Sequence, residues 1–339
     1  MQEIFTQINI FFVTGIFVLS LIVILKTTDI LVENAVVLSE IWGLPEMIIG
    51  ATIVSLGTTL PELSSSVIAS LQGGGGFAIG NAVGSTITNT SLVLGAGALF
   101  GKIPVSKETS RKLSLLIFVV SLLVLPTLIT KIGKDSGLLP QWLGVVFLIL
   151  IPVYIFILIR QEDKTKKSSV DAEYYEELKK DKNNSKIFIT FIKIFLSAII
   201  IALSATSLVD SAEVIAKRIG ISDIVISSTI IAFGTSVPEI STTISAVKSN
   251  HGGLALGNVM GANILNILFV LGASLALSPG GIIVVNNFYN IHIPVLIIVL
   301  AVYGYFAYNK NKNEISKKEG ILMIAIYLLY LTGNLISII

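Results

Sequence analysis

The chain has 339 residues, 53% of them hydrophobic and only 13% charged, too few charges to clothe an ordinary soluble surface. Its 23 basic and 21 acidic residues leave a formal charge of +2, which marks out no nucleic-acid partner, and the lack of cysteine excludes disulfides and thiolate metal ligands. The composition is that of an all-α polytopic membrane protein.

Met1, Gln2 and Glu3 lack the basic start of a cleaved signal peptide, so none is expected. Apolar runs long enough to span a bilayer fall at 8 to 38, 46 to 71, 76 to 100, 112 to 131 and 139 to 159. Five more follow at 187 to 216, 223 to 248, 253 to 277, 284 to 308 and 319 to 338, which makes about ten transmembrane helices. The first run of each half exceeds what a bilayer needs, and its far end, with Glu33 and Glu40 or Asp210 and Glu213, is expected along the interface. Residues 160 to 186 are rich in Lys, Glu, Asp and Tyr and read as a solvated linker. The organisation expected is therefore a five-helix repeat over 1–159, a linker over 160–186 and a second five-helix repeat over 187–339.

Basic residues set the orientation. Placing the 100–111, 160–186, 248–253 and 309–318 loops on one side gathers about 17 of the 23 Lys and Arg there, against about four opposite. That side should be cytoplasmic, with both termini outside. Five spans per half then make the two repeats inverted, the architecture of secondary transporters with a midplane site where broken helices meet.

The second run carries Gly57-Thr58-Thr59-Leu60-Pro61-Glu62, and the seventh repeats it as Gly234-Thr235-Ser236-Val237-Pro238-Glu239, 177 residues on. The match extends without a gap over 43–97 and 220–274 with roughly 40% identity, an internal duplication. A proline within a span lacks the N–H owed to the preceding turn, so helices 2 and 7 should break there and free carbonyl oxygens. An ionised glutamate at that depth needs a positive partner, and no lysine or arginine lies near either motif. A mobile cation held by carboxylate, carbonyl and hydroxyl oxygens, the hard ligands that calcium prefers, answers that need.

Helices 3 and 8 carry a second matched pair. Gly80 and Gly84, like Gly257 and Gly261, form close-packing GxxxG edges, while Asn81, Ser85 and Asn89, and Asn258 and Asn266 around Ala262, line one helical face. Asn89 and Asn266 are the stronger candidates for an ion pathway; Asn81 and Asn258 fit structural hydrogen bonds or caps better. Lys26, Asp29 and Glu33 stand three to four apart and are expected to pair with one another. His251 and His292 are isolated and support no zinc site, and the glycines at 73–76 read as a turn.

With these motifs the chain resembles the sodium/calcium exchanger branch of the cation/calcium exchanger superfamily, in a short prokaryotic form without large regulatory domains. The resemblance implies a membrane antiporter that is not an enzyme, has no cofactor and needs no obligate protein partner, transporting calcium and sodium across a prokaryotic cell membrane. It implies a calcium site from the Glu62 and Glu239 carboxylates and the Thr58 and Thr235 carbonyls. It implies flanking sodium sites from the Ser55 and Ala232 carbonyls, oxygens of Thr58, Thr59, Glu62, Thr235, Ser236 and Glu239, Ser85, and the central Asn89 and Asn266. Two positions depart from the family pattern: some members have aspartate at Asn266, and many have serine at Ala262. A proton-coupled exchanger using the same glutamates and a passive cation channel stand as alternatives. An intramembrane enzyme lacks support, since no HExxH motif or Ser/His pairing occurs.

Overall fold

A computed structural model describes residues 9–105, 107–134, 136–166, 184–220, 232–308 and 314–338. Ten helical segments match the ten apolar runs. In chain order they are α1 (Ile10–Trp42), α2 (Glu46–Thr58 and Leu60–Leu71), α3 (Gly75–Phe100), α4 (Lys107–Lys131) and α5 (Gln141–Lys166). The second half supplies α6 (Asn184–Arg218), α7 (Ala232–Thr235 and Val237–Lys248), α8 (Gly252–Ala276), α9 (Phe288–Tyr308) and α10 (Lys317–Ile338). Eight described helices are long and apolar enough to cross a membrane, and the bent α2 makes a ninth. The start of the expected seventh span, at 223, and most of the 160–186 linker lie outside the described residues.

Why these residues give this layering follows from where polar side chains sit. In α3 and α8, 78% and 83% of the most apolar stretch is buried, against 22–39% in the other long single-helix spans, so these two form the centre. Their buried faces carry asparagine, serine and threonine, which lipid would leave unpaired. The other helices turn large apolar side chains outward, among them Phe12, Ile129, Trp142, Phe156 and Leu329, as a lipid-facing surface requires.

α1 and α6 are single unbroken helices of 33 and 35 residues. At 1.5 Å per residue each is about 50 Å long, well beyond a hydrocarbon core of about 30 Å. Length is thus accommodated along one axis, and among the described residues no separate interfacial helix forms at their ends. They make the most extensive helix–helix contact in the molecule. Leu31, Ala35 and Leu38 of α1 and Ile194 and Ile201 of α6 join the main apolar core. The N-terminal part of α1 and the C-terminal part of α6 instead meet in two small clusters, one of Ile24 with Ala205, Leu208 and Val237 of α7, the other of Val13 with Val214.

Four short strands cross between the halves. β1 (Ile103–Pro104), after α3, pairs antiparallel with β4 (Glu314–Ile315), before α10. β2 (Gly137–Leu139), before α5, pairs antiparallel with β3 (Ile282–Val284), after α8. Exchanging the halves maps one pair onto the other, which agrees with an internal two-fold relation.

The expected pairing within α1 is corrected. Asp29 accepts a hydrogen bond from the Ser245 hydroxyl of α7 at 2.6 Å, and no described ion pair joins it to Lys26. An aspartate one turn from a lysine has only a weak, solvent-screened attraction, and a packed hydroxyl donor on another helix prevails. Both histidines are hydrogen-bonded: His251 Nδ1 to Glu46 Oε1 at 2.6 Å, and His292 Nδ1 to the Tyr330 hydroxyl at 2.9 Å.

Candidate ion-binding site

α2 breaks where its proline dictates. Thr59 leaves helical geometry at φ −81°, ψ 0°, Leu60 restarts the helix, and the two parts meet at 45°. Ser236 repeats the break at φ −86°, ψ 0° ahead of Val237 and Pro238. The α2 break is tied back by its own threonine: Thr59 donates to the Ser55 carbonyl through its N–H at 3.0 Å and its hydroxyl at 2.5 Å. The Thr58 hydroxyl reaches across to α8 and donates to Asn258 Oδ1 at 3.3 Å.

Each break sets a glutamate in the first turn of a new helix, where the unpaired N–H groups and the helix dipole favour an anion. Glu62 is 1% exposed and Glu239 0%. They are close enough to repel each other; Glu62 lies against the Thr235 side chain and Glu239 against that of Thr58, so each carboxylate faces the other half's threonine. None of the four carboxylate oxygens completes a hydrogen bond with a described residue. An unpaired carboxylate buried this deeply is destabilised by several kcal/mol, roughly 3–5 where a partner has been removed. Two such groups side by side form a divalent anionic cage that a cation would stabilise.

The neutral candidates are buried to a similar degree. Ser55, Thr58, Thr59 and Ser236 are fully buried, Ser85 and Thr235 nearly so, and Ala232 opens the first part of α7. Asn89 and Asn266, both 0% exposed, have amide oxygens and nitrogens with no hydrogen-bond partner among the described residues. Each also begins a π-helical turn, Asn89–Val93 in α3 and Asn266–Leu271 in α8, again 177 residues apart. A π turn shifts the hydrogen-bond register and changes the direction of the side chains after it, a feature concentrated at functional sites.

Asn81 and Asn258 are not caps: Asn258 accepts from Thr58 through Oδ1 while its buried Nδ2 has no partner among the described residues. Asn81 Nδ2 donates to Ser66 Oγ at 2.9 Å and to the Glu62 carbonyl at 3.4 Å, so it braces the second part of α2 against α3. Gly257 and Gly261 bring α8 against the first part of α2. A Cβ on Gly257 would strike the Met47 carbonyl, and one on Gly261 would come within 2.6 Å of Ala51 Cα. Residues 224–231, which the repeat would set against Gly80 and Gly84, lie outside the described residues.

Two contributions have no clear sequence signal. Asn263 Nδ2 donates to Thr90 Oγ1 at 2.7 Å and ties α8 to α3. Tyr154, in the apolar part of α5, donates at 3.0 Å to the Ala51 carbonyl inside the π turn Gly50–Val54 of α2. The doubled proline break hints at strained backbone nearby, but nothing local to Tyr154 says which carbonyl it reaches.

Broken helices from two halves of one chain, meeting over paired buried carboxylates within an all-helical membrane bundle, define a secondary transporter of cations. The model of the sodium/calcium exchanger protein family matches residues 12–160 and again 189–336, one segment per half, and the chain belongs to that family. Among curated relatives, an uncharacterized membrane protein, MJ0091 of Methanocaldococcus jannaschii, is 34% identical over 318 residues, covering 93% of this chain and 95% of its own. Sodium/calcium exchanger MaX1 of Methanosarcina acetivorans is 29% identical over 341 residues, covering 93% and 96%, and inner membrane protein YrbG of Escherichia coli is 34% identical over 270 residues, covering 79% and 81%. The solved structure of the sodium-calcium exchanger NCX_Mj, soaked with 10 mM sodium and no calcium, superposes with a TM-score of 0.79 at 31% identity, over 96% of this chain and 99% of that one. The protein is an integral membrane cation exchanger.

Proposed function

We propose that the chain exchanges calcium for sodium by alternating access, with the Glu62 and Glu239 carboxylates as the shared centre. The observation that carries this reading is the set of four carboxylate oxygens, two from each half, buried without a hydrogen-bond partner among the described residues. Two carboxylates can be neutralised by one calcium, or by sodium ions spread over the adjacent oxygens, but not fully by both together. Binding is therefore exclusive, and exclusivity is what turns a carrier into an exchanger. The names of MaX1 and NCX_Mj support sodium as the counter-ion.

In this reading the Thr58 and Thr235 carbonyls complete the calcium site. Sodium takes oxygens of Ser55, Thr58, Thr59, Ser85, Asn89, Ala232, Thr235, Ser236 and Asn266 beside the glutamates. The halves 1–159 and 187–339 act as inverted repeats about this centre, with both termini outside and the 160–186 linker in the cytoplasm. The α1–α6 pair is the moving part. Its small clusters set the N-terminal end of α1 and the C-terminal end of α6 apart from the main core, so sliding of the pair has to re-pack only the contacts around Leu31, Ala35, Leu38, Ile194 and Ile201 and the contact with Val237.

The test is calcium uptake into proteoliposomes holding the purified chain, driven in parallel by an outward sodium gradient and, without sodium, by an outward proton gradient. Uptake with sodium alone is expected. Uptake with protons alone would move the chain to proton-coupled exchange and make Ala262 and Asn266, where hydroxyl and charge are missing, the first positions to substitute. Currents far above carrier turnover would instead identify a channel.

A further inference from the structure

We propose that Asp210 is the steering carboxylate of the path into the site, setting how readily calcium enters from the side of the Gln72–Gly74 turn. This rests on the calcium-transport reading above. A cavity of about 310 Å³ separates the second part of α2 from α6. Its walls include Ser65 and Gln72 on α2 and Thr206, Asp210 and Glu213 on α6, and it reaches Thr235, the side chain that lies against Glu62. Polar groups thus run from the rim to a carboxylate that is itself 1% exposed and unpartnered.

The two acids on α6 are not equivalent. Glu213 is bonded to Lys217 at 2.8 Å, which neutralises much of its field. Asp210 is half-buried, faces the cavity and forms no ion pair with any described lysine or arginine; the positive chain terminus and the negative Glu213 act on it with opposite sign. A carboxylate on the wall of a narrow cavity within the protein focuses its field along that cavity and raises the local concentration of cations. Its place is also repeated in sequence, since Leu208-Val209-Asp210 follows Leu31-Val32-Glu33 by 177 residues.

The larger cavity on the other face of α6, about 660 Å³, makes the contrast. It is lined mainly by apolar side chains such as Phe17, Leu21 and Phe233 and touches neither glutamate nor their threonines. Its Asp29 is bonded to Ser245, and Lys248 stands on its wall. Nothing there draws a cation toward the site.

The experiment measures initial calcium uptake against calcium concentration in sodium-loaded proteoliposomes oriented with the Gln72–Gly74 turn outward. One series uses about 10 mM impermeant salt and the other about 150 mM, where screening falls to roughly 8 Å. Asp210→Asn is expected to raise half-saturating calcium about two- to fivefold at low salt, with the gap closing at high salt and maximal rates alike. Asp210→Glu should keep the wild-type value. Gln72→Glu at the rim should lower half-saturation and Gln72→Lys raise it, a pair of opposite shifts that misfolding does not produce. An Asp210→Asn variant with unchanged half-saturation at low salt, or the same shift at both salt levels, overturns the proposal. If that variant does not reach the membrane, the absence of opposite shifts at Gln72 overturns it. Lack of sodium-driven uptake by the unaltered chain would sink the transport reading instead.

Discussion

Glu62→Gln and Glu239→Gln are each expected to abolish sodium-driven calcium uptake while leaving a folded protein. At an effective dielectric near 20, a unit charge pair 4 Å apart gains about 4 kcal/mol, and a divalent ion about twice that. Part of this is offset because glutamine needs less desolvation, so calcium affinity should fall on the order of 100-fold or more. The same change removes repulsion between two buried unpaired carboxylates. In chelator, each variant should therefore melt at the same temperature as the unaltered chain or higher. Added calcium should raise the melting temperature of the unaltered chain, by about 2.7 kcal/mol of stabilisation at 100 times the dissociation constant, and leave the variants unmoved. Thermal unfolding in detergent with and without calcium separates loss of the site from loss of the fold. Normal transport by either variant would remove the glutamates from the site.

Gly257→Ala is expected to do the reverse and damage the fold before the chemistry. Its new Cβ would meet the Met47 carbonyl, with the carbonyl carbon at 2.8 Å and Met47 Cα at 2.9 Å, all backbone atoms that cannot swing aside. α8 would have to move off the first part of α2, at a cost of about 1–3 kcal/mol typical of overpacking. Because Thr58 bonds Asn258, the next residue on α8, the displacement would reach the site. A lower melting temperature together with lost uptake is the expected result. Gly15→Ala, where no atom lies within 4 Å, serves as the control and should match the unaltered chain or exceed it slightly. Equal melting temperatures for Gly257→Ala and the unaltered chain would show that α2 and α8 are not locked at this point.

The sequence made the helices, the breaks and the paired glutamates legible for one reason: the duplication presents the same proline and carboxylate twice in register. Gly257 and Gly261 were readable too, since small residues four apart have few other uses in a span. The π turns were not. Asn89 and Asn266 signal a polar face, but a turn closed by the fifth residue rather than the fourth leaves no mark in side-chain identity. Nor was the partner of Asp29 readable: proximity in sequence pointed to Lys26, whereas Ser245 is brought there by the packing of α7 on α1. The strand pairs were hidden for the same reason, each being too short to show a pattern of its own.

Those strands bear on how the molecule is made. Ile103 finds its partner only at Ile315, and the β2 residues Gly137–Leu139 find theirs only at 282–284. When the first five helices leave the ribosome, two of their backbone edges have nothing yet to bond. These edges can close only once the second half has been inserted, so halves produced as separate polypeptides should associate through them.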